Sequence, residues 1–269
     1  MSALSELLDD VDAEYGDLRS IVGRLGAADP AWDAVTPAEG WMVRDQISHL
    51  AYFDDAGRTA IEDPAAFTAL AEELMGSTGD PMAVHLDRGR ALDGAGLLAW
   101  WDDAHRRMMA AFVDVDPADR IPWFGPSMGA RSFLTARLME TWAHGQDVVD
   151  ALGADRAPTD RLRHVAHIGV AARPFSYVVR GRDVPPGQIT VAVEGPSGDT
   201  WTWAVGEEVP GREEATVTGS ALDFCLVVTQ RRNVADTGLV VVGGLAEDWV
   251  SVAQAFAGPP GPGRPPAGA

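Results

Sequence analysis

Between positions 3 and 26, apolar residues recur at Leu4, Leu7, Leu8, Val11, Tyr15, Leu18, Ile21, Val22 and Leu25. A period near 3.6 predicts an amphipathic helix. Pro30, Pro37 and Gly40 make 27–40 a connection. A second helix is predicted over 43–61, stopped by Pro64, then a shorter one over 65–75 and a Gly–Asp–Pro break at 79–81. The third long helix covers 96–113 and ends before Asp116-Pro117. After a Pro- and Gly-rich loop at 121–130, a fourth runs over 131–152 with Gly153 as its C-terminal stop. Four long amphipathic segments predict a helix bundle.

The pattern then changes. Residues 160–180 read as helical, with Pro174 expected to bend or break them. Alternating segments at 188–195, 200–206 and 214–219 predict strands, the first two joined by the hairpin chemistry of EGPSGDT. A buried helix over 220–232, a strand over 238–244 and a last helix over 246–258 follow. The fold class is therefore α+β in two domains: a helical domain at 1–155 and a small α+β domain at 156–257. The tail GPPGPGRPPAGA, 258–269, has too little apolar surface to build a core and is expected to be disordered.

Length agrees with two domains, since 269 residues exceed the usual needs of one core. Charge narrows the partners. Net charge is −19, from 40 acidic and 21 basic residues, and every basic residue is Arg. Such a surface is expected to repel nucleic acid and anionic membranes, or simply serves solubility; a small molecule is the expected partner on the resemblance described below. No apolar run approaches the ~20 residues that span a bilayer. The acidic amphipathic start lacks the features of a signal peptide, so a cytoplasmic location is expected. A single cysteine, Cys225, excludes an internal disulfide and multi-Cys metal sites. Any metal must be held by His and carboxylate.

The stretch RLMETWAHGQDVVDAL, 137–152, sets Glu140 and His144 four residues apart, about 40° around a helix. They are either a polar pair on a solvated face or two ligands of one metal. His49, on the second helix, shares its face with Phe53, Ala56 and Ala60 and so points to an apolar interior. It is either a core histidine bonded to a carbonyl or Tyr52, or the third ligand. Two His and one Glu leave a tetrahedral ion an open position, the catalytic pattern. Zinc suits such a set; nickel, iron and manganese share its ligand type.

GWMVRDQISHLAYFDD, PWFGPSM and RLMETWAHGQDVVDALG resemble the metal-binding helices of the DinB-like superfamily, in particular the mycothiol-dependent maleylpyruvate isomerase-like branch. The resemblance extends through RLRHVAHIGVAARPFSYVVRG and SALDFCLVVTQRRNVADTGLVV to nearly the whole chain except the tail. It implies an N-terminal four-helix DinB-like bundle whose metal ligands are His49, Glu140 and His144, followed by a sterol-carrier-like α+β domain. It implies a metal-dependent enzyme that uses a low-molecular-weight thiol, mycothiol, bound through sulfur. Addition of the thiolate to an activated double bond followed by its expulsion gives isomerisation; addition alone gives S-transfer. It implies an Arg of the second domain against an anionic substrate, here Arg231 with Arg232 close behind, although Arg at a helix C-terminus also complements the dipole. DinB-like bundles often pair, which makes a homodimer an open expectation. Two other readings stay open: a non-catalytic metal-containing ligand-binding protein, and a metal-dependent hydrolase using bound water.

One position departs from the pattern. Relatives place Ser or Thr after the Trp that opens the second helix, where this chain has Met42, a lost cap worth around 1 kcal/mol. Among the remaining candidates, Asp54 lies away from the His49 face and reads as a surface carboxylate. Asp45 and Gln46 flank that face and are candidates to orient an imidazole. His85 and His105 stand alone. His164 and His167 read as packing or surface residues. Trp123 and Phe124 either wall a pocket or pack a loop, and Cys225 reads as inert core.

Overall fold

The structure, a computed structural model, describes residues 3–76, 83–211 and 213–268. It divides into two compact units, Met1–Asp155 and Arg156–Ala269. No described helix is long and apolar enough to cross a membrane.

In the first unit, helices α1 (Ala3–Val22), α2 (Val43–Glu62), α3 (Pro64–Gly76), α4 (Ala83–Arg90), α5 (Gly94–Phe112) and α6 (Ala130–Leu152) follow in order. Two-residue strands β1 (Arg120–Ile121) and β2 (Met128–Gly129) pair antiparallel across the loop before α6. The long helices α1, α2, α5 and α6 close on a core that includes Leu18, Trp32, Val43, Ile47, Leu50, Leu97, Trp101, Ala104 and Val148. The break expected at 79–81 lies outside the described residues, and α4 beyond it was not expected. Its short, charged sequence, AVHLDRGR, carries too few apolar positions to show a period.

Helix α6 buries most of its circumference, including Phe133, Leu134, Leu138, Trp142, Ala143, Val148 and Val149. A helix so enclosed has no single apolar stripe, which is why its period cannot say which way Glu140 faces. Gly153, at φ +59°, ends it in the left-handed conformation that glycine adopts without strain. At the start of α2, the main-chain N–H of Met42 donates to the Asp45 carboxylate at 2.9 Å. Asp45 thus satisfies an end group that the Met42 side chain does not serve, and Arg90 donates to Asp45 through two nitrogens at 2.9 Å.

The second unit contains α7 (Leu162–Ala171), α8 (Arg173–Val178), β3 (Ile189–Glu194), β4 (Thr200–Val205), β5 (Thr216–Ser220), α9 (Ala221–Val228), β6 (Val240–Val242) and α10 (Gly244–Val252). The sheet order is β4-β3-β5-β6: β3 pairs antiparallel with β4 and parallel with β5, and β5 pairs antiparallel with β6. Ile189, Val191, Val193, Trp201 and Val217 supply its buried side. The expected break falls at Ala172, between α7 and α8, and Pro174 sits in the first turn of α8, where its missing N–H costs nothing. Gly169 brings α7 onto α9; a Cβ there would lie 2.6 Å from Val228 Cγ2.

The tail runs against the rest of its own unit. Its backbone is tied to the second unit, with Asn233 Nδ2 donating to the Arg264 carbonyl at 2.9 Å and the Ala267 N–H donating to the Asp236 carboxylate. Main-chain groups, which composition does not count, make these bonds.

Candidate metal centre

Helix α2 carries His49 and helix α6 carries Glu140 and His144. The packing of these two helices brings all three together, with one donor atom from each within 4.8 Å of the others. Glu140 Oε2 lies 3.1 Å from His144 Nε2 and 3.4 Å from His49 Nε2. The two imidazole rings are 4.3 Å apart, centre to centre. All three side chains are mostly buried but not sealed, at 12%, 21% and 13% exposure for His49, Glu140 and His144. Neither open reading of these residues as isolated groups, a solvated pair or a lone core histidine, describes this arrangement.

The donor set fits a divalent ion. Tetrahedral zinc with bonds of about 2.05 Å holds its ligands roughly 3.3 Å apart, and the two distances to Glu140 bracket that value. Protonation fits as well. Burial, and then the charge of His144, push the His49 imidazole down to about 3, so it is neutral and has a lone pair to offer. Burial alone would raise the Glu140 carboxyl, but hydrogen bonds from His144 and His49 hold it well below the usual range. A neutral imidazole beside a carboxylate is the form in which these groups bind metal.

Aromatic rings surround the cluster. Trp41 stacks near His144 at 5.8 Å and lies 5.4 Å from His49. Phe53, one turn after His49, is 4.5 Å from it. Trp123 lies flat on Phe67 at 5.6 Å, and Phe124 meets Phe53 at 5.5 Å. These two loop residues therefore join the ring cluster beside His49. Gln46 is fully buried, and its Oε1 lies 2.5 Å from His144 Nδ1.

The family described as mycothiol maleylpyruvate isomerase N-terminal domain matches residues 11–149, the span that holds all three donors. The chain belongs to this family. Relatives in two strains of Mycobacterium tuberculosis, both named as uncharacterized proteins, are 42% identical over 258 residues, 95% of this chain and 96% of theirs. The fold matches the crystal structure of the mycothiol-dependent maleylpyruvate isomerase with a TM-score of 0.57 at 18% identity, covering 89% of this chain and 93% of that one. A histidine-to-alanine variant of that enzyme matches with a TM-score of 0.58 at 16% identity, over 91% and 94%.

Several other candidates of this family member lie elsewhere than the sequence suggests. Asp54 is not a surface carboxylate: it is 3% exposed, and its Oδ1 accepts from Arg137 Nη2 at 2.8 Å and Nε at 3.1 Å. His105 is not alone. It stacks on Tyr15 at 3.8 Å, and its Nε2 lies 3.1 Å from Asp12 Oδ1. His85 is buried among Trp41, His49 and Tyr52, 5.3 Å from the His49 ring. Nothing in the pattern of α4 marks it. In the second unit, Arg231 donates to the Thr229 carbonyl at 2.8 Å and lies 5.9 Å from the centre of the Phe256 ring. It follows Gln230, whose φ of +61° closes the end of α9. Cys225 is buried, burial pushes its thiol well up, and it is held inert.

Proposed function

We propose that His49, Glu140 and His144 bind one divalent ion, zinc in the first instance, and that the protein is a thiol-dependent isomerase or S-transferase acting on a small electrophilic or anionic substrate. The observation that carries this reading is the convergence of three donors, two of their spacings near a tetrahedral edge, in a chain of this family. The match to a mycothiol-dependent isomerase supports mycothiol as the thiol. We read the four long helices as a DinB-like bundle and the second unit as its sterol-carrier-like companion. A thiol cosubstrate also supports the reducing cytoplasm as the place of action.

A bound divalent ion supplies Lewis acidity, which makes a thiol available as its nucleophilic thiolate at neutral pH. The chain's own residues do the rest. His49 and His144 would each offer one ring nitrogen, and Glu140 would contribute the one negative charge, so that three ligands would leave net positive charge at the fourth position. Trp41 and Phe53 limit water beside the donors and offer apolar contact to a substrate's carbon frame. Arg231 is the group proposed to meet a carboxylate, by a bidentate pair.

Elemental analysis of the purified protein, followed by calorimetric titration with mycothiol, tests the proposal. Metal near one ion per chain and thiol affinity that disappears in His49→Ala support it. Metal with no thiol affinity would instead favour the ligand-binding protein. Turnover of esters or amides without thiol would favour the hydrolase. Absence of metal after growth in zinc would overturn all three.

A further inference from the structure

The two imidazoles of the centre are held differently. His49 Nδ1 is buried without a hydrogen-bond partner among the described residues, and its ring is placed by packing against Phe53 and Trp41. His144 Nδ1 instead meets Gln46 Oε1 at 2.5 Å. The other end of that amide, Gln46 Nε2, donates to Thr36 Oγ1 at 2.9 Å. Thr36 Oγ1 in turn donates to the Trp41 carbonyl at 2.9 Å. Gln46 and Thr36 are buried, so no bulk water competes for these groups.

This chain has a direction. A hydroxyl has one proton, and Thr36 gives it to the Trp41 carbonyl. Thr36 must then accept from Gln46, which requires the amide to present Nε2 to Thr36 and Oε1 to His144. An oxygen at that place is an acceptor only, so His144 Nδ1 must carry a proton. Nε2, which bonds to Glu140 at 3.1 Å, is then the nitrogen whose proton an incoming ion would displace. Reversing the amide would break the hydroxyl's bond to the carbonyl and turn an NH₂ toward Nδ1, favouring the opposite tautomer. The far end of the chain is rigid: the Thr36 N–H also donates to the Trp41 carbonyl at 2.8 Å, and Val35 pairs with Met42 beside it. Asp45, the neighbouring candidate, is occupied by the Met42 N–H and Arg90 and takes no part.

We infer that Gln46 is a positioning residue that holds His144 with Nδ1 protonated, leaving Nε2 as the nitrogen for the ion, and that Thr36 sets the direction of the Gln46 amide. Helix α2 then serves the centre twice, through the ligand His49 and, three residues earlier on the same face, through the group that orients the ligand on α6. The metal part of this inference rests on the proposed function; the tautomer part does not.

The test has two arms on the full chain. In the first, histidine-selective ¹⁵N labelling and long-range ¹H–¹⁵N correlation read the protonation of His144 Nδ1 in metal-free protein at mildly alkaline pH. The inference expects Nδ1–H in the wild type and in Gln46→Glu, and loss of it in Gln46→Leu, where only Glu140 remains to accept from the ring. Thr36→Val, nearly isosteric and without contact to His144, should reduce the Nδ1–H population. In the second arm, chelator competition with Zn²⁺ should show Gln46→Leu binding about 10- to 100-fold more weakly, with Gln46→Glu close to wild type. An unprotonated Nδ1 in the wild type, or Gln46→Leu unchanged in both arms, overturns the inference. A wild type that shows the tautomer exchange but takes no zinc overturns the metal reading and leaves the positioning role standing. Thr36→Val and Gln46→Glu keep the test decisive if Gln46→Leu does not fold.

Discussion

Replacing Asp54 by Ala should unfold the helical unit more readily than any surface change, because Asp54 and Arg137 form a buried ion pair between the two helices that carry the proposed metal donors. Each is 3% exposed. Arg137 gives Asp54 Oδ1 two hydrogen bonds and sends a third, weaker one from Nη2 to the Leu50 carbonyl at 3.3 Å. His105 Nδ1 stands 3.8 Å from the second Asp54 oxygen. Removing the carboxylate strands a guanidinium whose remaining hydrogen bond among the described residues is to one α2 carbonyl. Breaking a buried pair from one side costs about 3–5 kcal/mol. With a urea dependence of about 2 kcal/mol per molar, the midpoint should fall by roughly 2 M. Urea unfolding followed by far-ultraviolet circular dichroism measures this. The double variant Asp54→Leu with Arg137→Met removes both charges and should recover to within about 1 kcal/mol of the wild type. A single-variant loss under about 1 kcal/mol, or a double variant as unstable as the single one, would refute the account of an uncompensated buried charge.

Three further outcomes are expected. His49→Ala and Glu140→Gln should each abolish stoichiometric zinc by elemental analysis while leaving the helical circular dichroism near that of the wild type; retained zinc in either would remove that residue from the ligand set. The phenols of Tyr15, Tyr52 and Tyr177 are all raised, by burial first, and that of Tyr177 reaches about 12 with the help of Asp248. A raised folded value contributes stability that is whole below the unfolded pKa near 10 and is lost as pH climbs through the folded one. Phenolate absorbance should therefore be absent around pH 10 and appear only at higher pH or on unfolding; ordinary titration in a folded protein would contradict this. Finally, Cys225 should resist an aromatic disulfide reagent in the native state and react at once in denaturant.

Helices α1, α2 and α5 were legible because each carries an apolar face wide enough to repeat several times, α6 because a Pro- and Gly-rich loop and Gly153 bound it, and the Glu140–His144 pairing because one turn separates the two whatever surrounds them. What the sequence hid has a common physical form. Asp54 looks like a surface residue by type, and Arg137 would too; each is buried only because the other is opposite, 83 positions along the chain. Gln46 is a similar case: as a polar residue near a histidine it can be named, but its direction depends on Thr36 and a carbonyl of Trp41 in the connection before α2. His105 reads as solitary until α1 and α5 pack and bring Tyr15 and Asp12 to it.

These hidden groups share a consequence for the site. Periodicity measures the transfer of one side chain from water, and for a polar side chain alone that transfer is unfavourable. A hydrogen-bonded pair reverses the sign, but no single-residue scale contains the pair. The buried polar groups of α2 and α6 therefore escape a one-dimensional reading for the same reason that they can specify geometry: they are tolerable only in one relative placement of the two helices. Hydrophobic contact tolerates sliding and rotation by a fraction of a turn, whereas the Asp54–Arg137 and Gln46–His144 bonds do not. The donors lie between these two ties, residue 49 between 46 and 54 on one helix and residue 140 between 137 and 144 on the other. Loosening either tie should widen the spacing between His49 and Glu140 before it unfolds the unit, so zinc affinity should fall in Asp54→Asn even where the melting curve barely moves. Unchanged affinity in a measurably destabilised Asp54→Asn would separate the ion pair from the centre and confine it to holding the core.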